Sequence, residues 1–211
     1  MNISVQNVSK KIKNNEILKN ISVEFESGNI YGIRGKNGSG KTMLIKAICG
    51  LIKTDEGRII VDGKVIGKDM DFPESIGVLI ENPGFPGGLK AFDNLKVIAS
   101  IKNKITDKDI EEALIKVGLE RDLEKRYRQY SLGMRQKLGI AAAIMEHPDI
   151  ILLDEPTNGL DDESVMKLQN ILKTERDKGA LIIVVSHDFE ELEILSNEIY
   201  QMKEGCLEKL H

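Results

Sequence analysis

The stretch Gly35-Lys36-Asn37-Gly38-Ser39-Gly40-Lys41-Thr42 combines three glycines with a terminal Lys-Thr pair, a spacing suited to cradling phosphate. Glycines let successive backbone N–H groups curl around an anion, and a helix beginning near Lys41 would aim the positive end of its dipole at the same point. In such a loop the lysine reaches the β and γ phosphates and the Thr42 hydroxyl sits on Mg²⁺. The bland alternative is a glycine-rich turn before an ordinary helix. The flanks argue against it: Asn29-Ile30-Tyr31-Gly32-Ile33 reads as a buried strand entering the loop, and Met43 to Gly50 as a helix leaving it. A nucleoside triphosphate is the first ligand to look for.

A pair of acids follows a second apolar run, Ile150-Ile151-Leu152-Leu153-Asp154-Glu155. Strand ends of parallel α/β sheets gather ligand-binding groups. Two adjacent buried carboxylates without partners would be costly or would force one to protonate, a problem that a magnesium-nucleotide removes. Asp154 would then hold Mg²⁺ through water, and Glu155 would orient and polarise an attacking water as general base. An acidic cap on the next helix is the competing reading. A third stretch, Tyr130-Ser131-Leu132-Gly133-Met134-Arg135-Gln136, leads into an amphipathic helix with Met134, Leu138, Ala141, Ala142 and Met145 on one side, ended by His147-Pro148. Ser131 fits as its N-cap, and an ordinary capped helix is the alternative.

The elements that must position these residues are legible from periodicity. Ile3 to Val8 and Ile21 to Phe25 alternate as strands, the second running into the Ser27-Gly28-Asn29 turn, and Gly57 to Ile66 has the form strand, Asp-Gly turn, strand. Together they predict an antiparallel sheet beside the nucleotide core. Ile76 to Ile80 is a short apolar strand, and the Pro- and Gly-rich segment from Asn82 to Gly88 reads as a hinge. Beyond it the spacing of Leu95, Ile98, Ala99 and of Ile110, Ala113, Leu114, Val117 turns helical to about Gln129. Ile150–Leu153 and Leu181–Val185 are apolar without alternation, as expected of strands covered on both faces, and a helix carrying Val165, Leu168, Ile171 and Leu172 separates them. The expected fold class is α/β: a phosphate-loop NTPase core with a mixed or parallel sheet and helices, an N-terminal antiparallel β subdomain, and an inserted α-helical subdomain at 82–135. All of it would form one domain over 1–211.

The chain has 211 residues, 41% of them hydrophobic and 30% charged, with a net charge of −4. That composition belongs to a soluble globular protein and gives no reason to expect nucleic-acid binding. Cys49 and Cys206 have neither metal-ligand spacing nor a disulfide framework, so a reducing compartment is expected and Cys49 is read as core. No export signal is visible, and the longest apolar runs, Leu138–Met145 and Ala180–Val185, fall short of the roughly 20 residues that span a bilayer. Work at a membrane would need another chain.

In order and in type, these motifs make the chain similar to the nucleotide-binding subunits of ATP-binding-cassette transporters, from about Ile3 to Leu207. The matching series is the phosphate loop Gly35 to Thr42, a coupling loop near Glu81, the signature helix from Ser131, Asp154-Glu155, the loop Asn158-Gly159-Leu160-Asp161, and a switch histidine, His187, after Val185-Ser186. The resemblance implies ATP and Mg²⁺ as cofactors and an ATPase with Lys41, Glu155 and His187 in catalytic roles, His187 contacting the γ-phosphate. It further implies a head-to-tail dimer in which Ser131, Leu132, Gly133 and Met134 of one subunit close over the nucleotide held by the other, and a D-loop residue at Asp161. It implies a separately encoded transmembrane permease, a homodimer or a heterodimer with a second cassette subunit, and a cytoplasmic location against the inner face of the cell membrane.

Four positions in three motifs depart from the family's commonest pattern. Glu81 stands where a glutamine is usual; an extra carboxylate is unfavourable near the γ-phosphate, so Glu81 is read as facing the metal or its waters. Leu132 and Met134 replace a glycine and a glutamine of the signature, sparing its hydroxyl and backbone donors. Ile12 occupies the place of an aromatic residue that stacks on adenine; it serves either as an apolar base contact or as ordinary sheet core. Val78-Leu79-Ile80-Glu81-Asn82-Pro83-Gly84-Phe85 together with the signature resembles the bacitracin- and lantibiotic-resistance branch of bacterial exporters. The expected function is accordingly the ATPase of an exporter of peptide antibiotics or other amphipathic substrates. A soluble cassette ATPase acting on ribosomes or DNA is the alternative, although this single acidic cassette lacks a second cassette, a basic linker and a coiled coil. A generic phosphate-loop NTPase or kinase would not need the signature helix or His187.

Overall fold

The computed structural model describes residues 1–81 and 83–210. Among the described residues ten strands form two sheets. β1 (Asn2–Ile12), β2 (Asn15–Glu26), β4 (Glu56–Val61) and β5 (Lys64–Val65) make an antiparallel sheet in the order β2-β1-β4-β5. Val5 lies opposite Val23 on one side and Ile59 on the other, so the apolar half of each alternating strand shares one face. The second sheet has the order β10-β9-β3-β8-β7-β6, built from β3 (Ile30–Arg34), β6 (Ile76–Leu79), β7 (Ile150–Asp154), β8 (Leu181–Ser186), β9 (Glu198–Lys203) and β10 (Cys206–Lys209). Its strands pair in parallel except for the β9–β10 hairpin at the edge.

Parallel pairing requires crossovers, and the helices supply them: α1 (Lys41–Ile48), α2 (Ala91–Lys102), α3 (Asp107–Lys116), α4 (Leu132–Ile144), α5 (Asp162–Asp177) and α6 (Phe189–Leu195). Both faces of β7 and β8 are covered. Ile150 and Leu152 of β7 pack into a core shared with α1 and the antiparallel sheet, while Ile151 and Leu153 pack into a second core with the other helices. All four are fully buried. This is the physical reason for the unbroken apolar run, and burying each such side chain contributes roughly 1.5–3 kcal/mol. Cys49 belongs to the first core, and burial pushes its thiol up to about 12.

The sequence expectations of the antiparallel sheet, the hairpin after the first helix and the parallel core all correspond to observed elements. Between β6 and β7 the chain is helical, with a 3-10 turn at Tyr127–Gln129 before α4. The residue at which the hinge and the inserted subdomain were expected to begin, Asn82, lies outside the described residues. Arg135 of α4 stacks its guanidinium over Tyr127 at 5.3 Å, and the Tyr127 hydroxyl donates to the Pro83 carbonyl, tying the start of α4 to the segment after β6. Among the described residues no helix is long and apolar enough to cross a membrane.

Candidate functional site

A cavity of about 500 Å³ opens where the ends of β3 and β7 meet the start of α1. Gly40 is the N-cap of α1, with φ of 110° and no side-chain cap, and an added Cβ would lie 2.7 Å from the Ile17 carbonyl. Only glycine accepts that conformation at that approach. With neither a side-chain cap nor an acidic residue in the first turn, the helix presents free N–H groups and its positive dipole end to the cavity. Lys41 is 5% exposed; its Nζ donates to the carbonyls of Gly35 (2.5 Å) and Lys36 (3.1 Å) and stands 3.9 Å from Glu155 Oε1.

Thr42 Oγ1 donates to Asp154 Oδ2 at 2.6 Å, bringing the first residue pair expected at a metal into contact across 112 positions of sequence. Burial pushes the Asp154 carboxyl above its ordinary range; the Thr42 bond opposes this and the charge of Glu155 adds to it. A cation placed between Thr42 and Asp154 relieves that penalty. Among the described residues no cluster of three or more His, Cys, Asp or Glu could hold a metal by itself. One hydroxyl and one carboxylate facing a phosphate loop is the donor set that suits Mg²⁺ held jointly by protein and nucleotide phosphates. Two buried oxygens of the site, Ser39 Oγ and Glu155 Oε1, accept no hydrogen bond among the described residues, so the polar capacity of the site exceeds what the chain satisfies.

Glu155 sits one residue past β7 with φ of 49°, a left-handed conformation that costs a non-glycine residue roughly 1–2 kcal/mol. Its N–H donates to Val185 of β8 at 2.8 Å, and its carbonyl accepts from the Gln136 amide at 2.9 Å. Held this way, its Oε2 meets His187 Nδ1 at 2.7 Å. A half-buried neighbour, Glu191, accepts from Thr157 Oγ1 at 3.0 Å and from Ser186 Oγ at 3.1 Å, linking the loop after Glu155 to the strand end before His187; desolvation raises its carboxyl.

The remaining expected residues separate into two groups. Asn37, Gly38, Gly40, Lys41, Thr42, Glu81, Asp154 and Glu155 line the cavity, and so does Ile12, which is 44% exposed and faces it with Ile17 rather than filling sheet core. Glu81 reaches the cavity while its Oε1 lies 2.5 Å from Lys46 Nζ on α1. Gly35, Lys36 and Asn37 border an adjoining cavity with His187. Ser131, Leu132, Gly133, Met134 and Asp161 line neither of these cavities. Ser131 caps α4 by accepting from Met134 N at 3.3 Å, and Asp161 caps α5 by accepting from Ser164 N at 2.9 Å. Ile17, Gln136 and Glu191 are site residues that sequence reasoning does not single out. For Ile17 the signal is the turn at Lys13-Asn14 that pairs Ile12 with Asn15; for Gln136 it is the place in the stretch that begins at Tyr130, which assigned it no role, and for Glu191 there is none.

The sequence profile of the ABC transporter family matches residues 18–158. The chain is 46% identical over 206 residues to the uncharacterized ABC transporter ATP-binding protein YybJ of Bacillus subtilis (strain 168), covering 98% of this chain and 94% of that one. It is 35% identical over 207 residues to the bacitracin transport ATP-binding protein BcrA of Enterococcus faecalis, covering 97% and 67%. With the lantibiotic transport ATP-binding protein SrtF of Streptococcus pyogenes it shares 34% over 204 residues, covering 96% and 87%. Among solved structures, the dimeric post-hydrolysis state of the ATP-binding cassette MJ0796, bound to ADP and Pi, matches with a TM-score of 0.87 at 26% identity over 99% of both chains. The chain therefore belongs to the ABC transporter family, as an ATP-binding and ATP-hydrolysing subunit.

Proposed function

We propose that this chain powers a separately encoded permease by closing a head-to-tail dimer around ATP, and that the transporter is an exporter of a peptide antibiotic or a similar amphipathic substrate. The observation that carries the dimer is the division of the expected site. Lys41, Thr42, Asp154 and Glu155 converge on one cavity, whereas the Ser131-capped end of α4 does not reach it. That second set is supplied to the nucleotide of another subunit, where the α4 N-terminus clasps the γ-phosphate. The names of the BcrA and SrtF relatives support the exporter reading, and the location follows from it: peripheral on the cytoplasmic face of the cell membrane.

In this reading the loop from Gly35 to Thr42 binds the phosphates and Lys41 neutralises β and γ oxygens. Thr42 and Asp154, with Glu81 near them, would hold Mg²⁺, which when bound would supply Lewis-acid compensation of phosphate charge. Glu155 accepts the proton of the water whose oxygen attacks the γ-phosphorus as the bond to the β–γ bridging oxygen breaks. His187 fixes Glu155 and contacts the γ-phosphate. Ile12 and Ile17 offer the base an apolar contact. The test is co-purification of the chain with its membrane partner and ATPase assays across candidate substrates. Stimulation by peptide antibiotics supports the proposal, and a stable complex stimulated by none of them while transporting solutes inward overturns it.

A further inference from the structure

Gln136 is 2% exposed and lies in the second turn of α4, an isolated polar side chain in a helix whose other buried positions are apolar or glycine. Its Nε2 donates to the carbonyl of Glu155 at 2.9 Å. The only other donor to that carbonyl among the described residues is Asn158 N, at 3.3 Å within the local turn. The amide therefore supplies the shorter of two restraints on a residue that holds a left-handed conformation and whose side chain meets His187.

We propose that Gln136 is a positioning residue for Glu155, through which α4 sets the placement of the base. This rests on the reading of Glu155 as base. The position of Gln136 on the helix gives it a second consequence. Ser131, at the capped end of the same helix, serves the partner's nucleotide in the proposed dimer, and Gln136 is one and a half turns further along. A displacement of α4 as its end clasps one nucleotide moves the carbonyl of Glu155 at the other. The two sites are coupled through a rigid helix rather than through the dimer surface alone.

Gln136→Met, which keeps the length and apolar stem and removes the donor, tests this in the full chain. The expected result is a kcat about tenfold lower with KM within about twofold of wild type, since the lost restraint acts on the chemical step and not on nucleotide binding. The chain has three histidines, so the imidazole Cε1–Hε1 signals are resolvable by NMR and that of His187 is assigned with His187→Ala. It should move in Gln136→Met without nucleotide present. A melting temperature that falls while kcat at lower temperature and the His187 signal stay unchanged would reduce Gln136 to a packing residue and overturn the proposal. Wild-type turnover in Glu155→Gln would instead overturn the assignment of the base, and the His187 signal, which needs no turnover, then decides the positioning role by itself.

Discussion

Glu155 Oε2 stands 2.7 Å from His187 Nδ1, one residue past the end of β7 and one past the end of β8. The parallel register that sets Asp154 beside Val185 fixes this separation. This carboxylate, held by a histidine and 3.9 Å from the Lys41 ammonium, is the one proposed to take a proton from the attacking water.

Replacing Glu155 by Gln keeps the hydrogen-bonding shape and removes the proposed base. Turnover should fall at least about a hundredfold, and light scattering after size-exclusion chromatography with ATP and Mg²⁺ should find a trapped dimer. Only monomer at high protein concentration would count against the sandwich.

Glu81 is 63% exposed at its side chain and paired with Lys46. A surface pair contributes about 0–1 kcal/mol, so Glu81→Gln should leave the melting temperature nearly unchanged and basal ATPase within about fivefold. The effect should appear in stimulation by the permease. Abolished basal hydrolysis would place Glu81 in the chemical step.

Ile12 and Ile17 form the apolar wall of the cavity. An aromatic ring there adds a stacking increment of about 0.5–1.5 kcal/mol. Ile12→Tyr should accordingly tighten ATP binding roughly two- to tenfold and sharpen selectivity for adenine over other bases, measured by equilibrium titration. Unchanged affinity would move the base elsewhere.

Glu175 of α5 is 3% exposed. Burial alone would raise its carboxyl, but hydrogen bonds from Lys178 at 2.8 Å and His147 at 3.3 Å hold it below its ordinary value of 4.5. A lowered folded value means that the stabilisation is fully present above about pH 4.5 and is lost as pH falls through the folded value. Because both partners are about half exposed, Glu175→Gln should cost about 1–2 kcal/mol at pH 7. Denaturant unfolding should show that gap closing in acid; a gap constant from pH 7 to below 4 would discard the ion-pair account.

Gly133, in the first turn of α4, packs on the loop after Glu155, where a Cβ would lie 2.4 Å from the Gly159 carbonyl. Gly133→Ala must shift the helix or the loop. Overpacking of this kind costs about 1–3 kcal/mol, and kcat should fall because the same loop carries Glu155. A wild-type melting temperature with wild-type turnover would mean that the contact is loose.

Chemistry written in contiguous residues was legible beforehand. The loop from Gly35 to Thr42, the acids after an unbroken apolar run and the capped helix at Ser131 are local patterns, each set by backbone geometry or by burial over a few positions. Ile12 was ambiguous between base contact and core because alternation in β1 says which face a residue takes, not whether that face continues past the sheet edge into a cavity. Glu81 was legible as a departure, while its partner Lys46, 35 positions earlier on α1, was not.

By itself the sequence determined the α/β fold, the phosphate loop and the acids, since periodicity, glycine placement and strand-end carboxylates obey short-range rules. Tertiary structure alone decided that Thr42 touches Asp154, that Glu155 is held by Val185, Gln136 and His187, and that the Ser131 end of α4 stands outside the cavity that Lys41 enters. Those contacts join residues 19 to 112 positions apart. They depend on strand order and register, which arise from packing two cores at once and leave no trace in any single stretch of the chain.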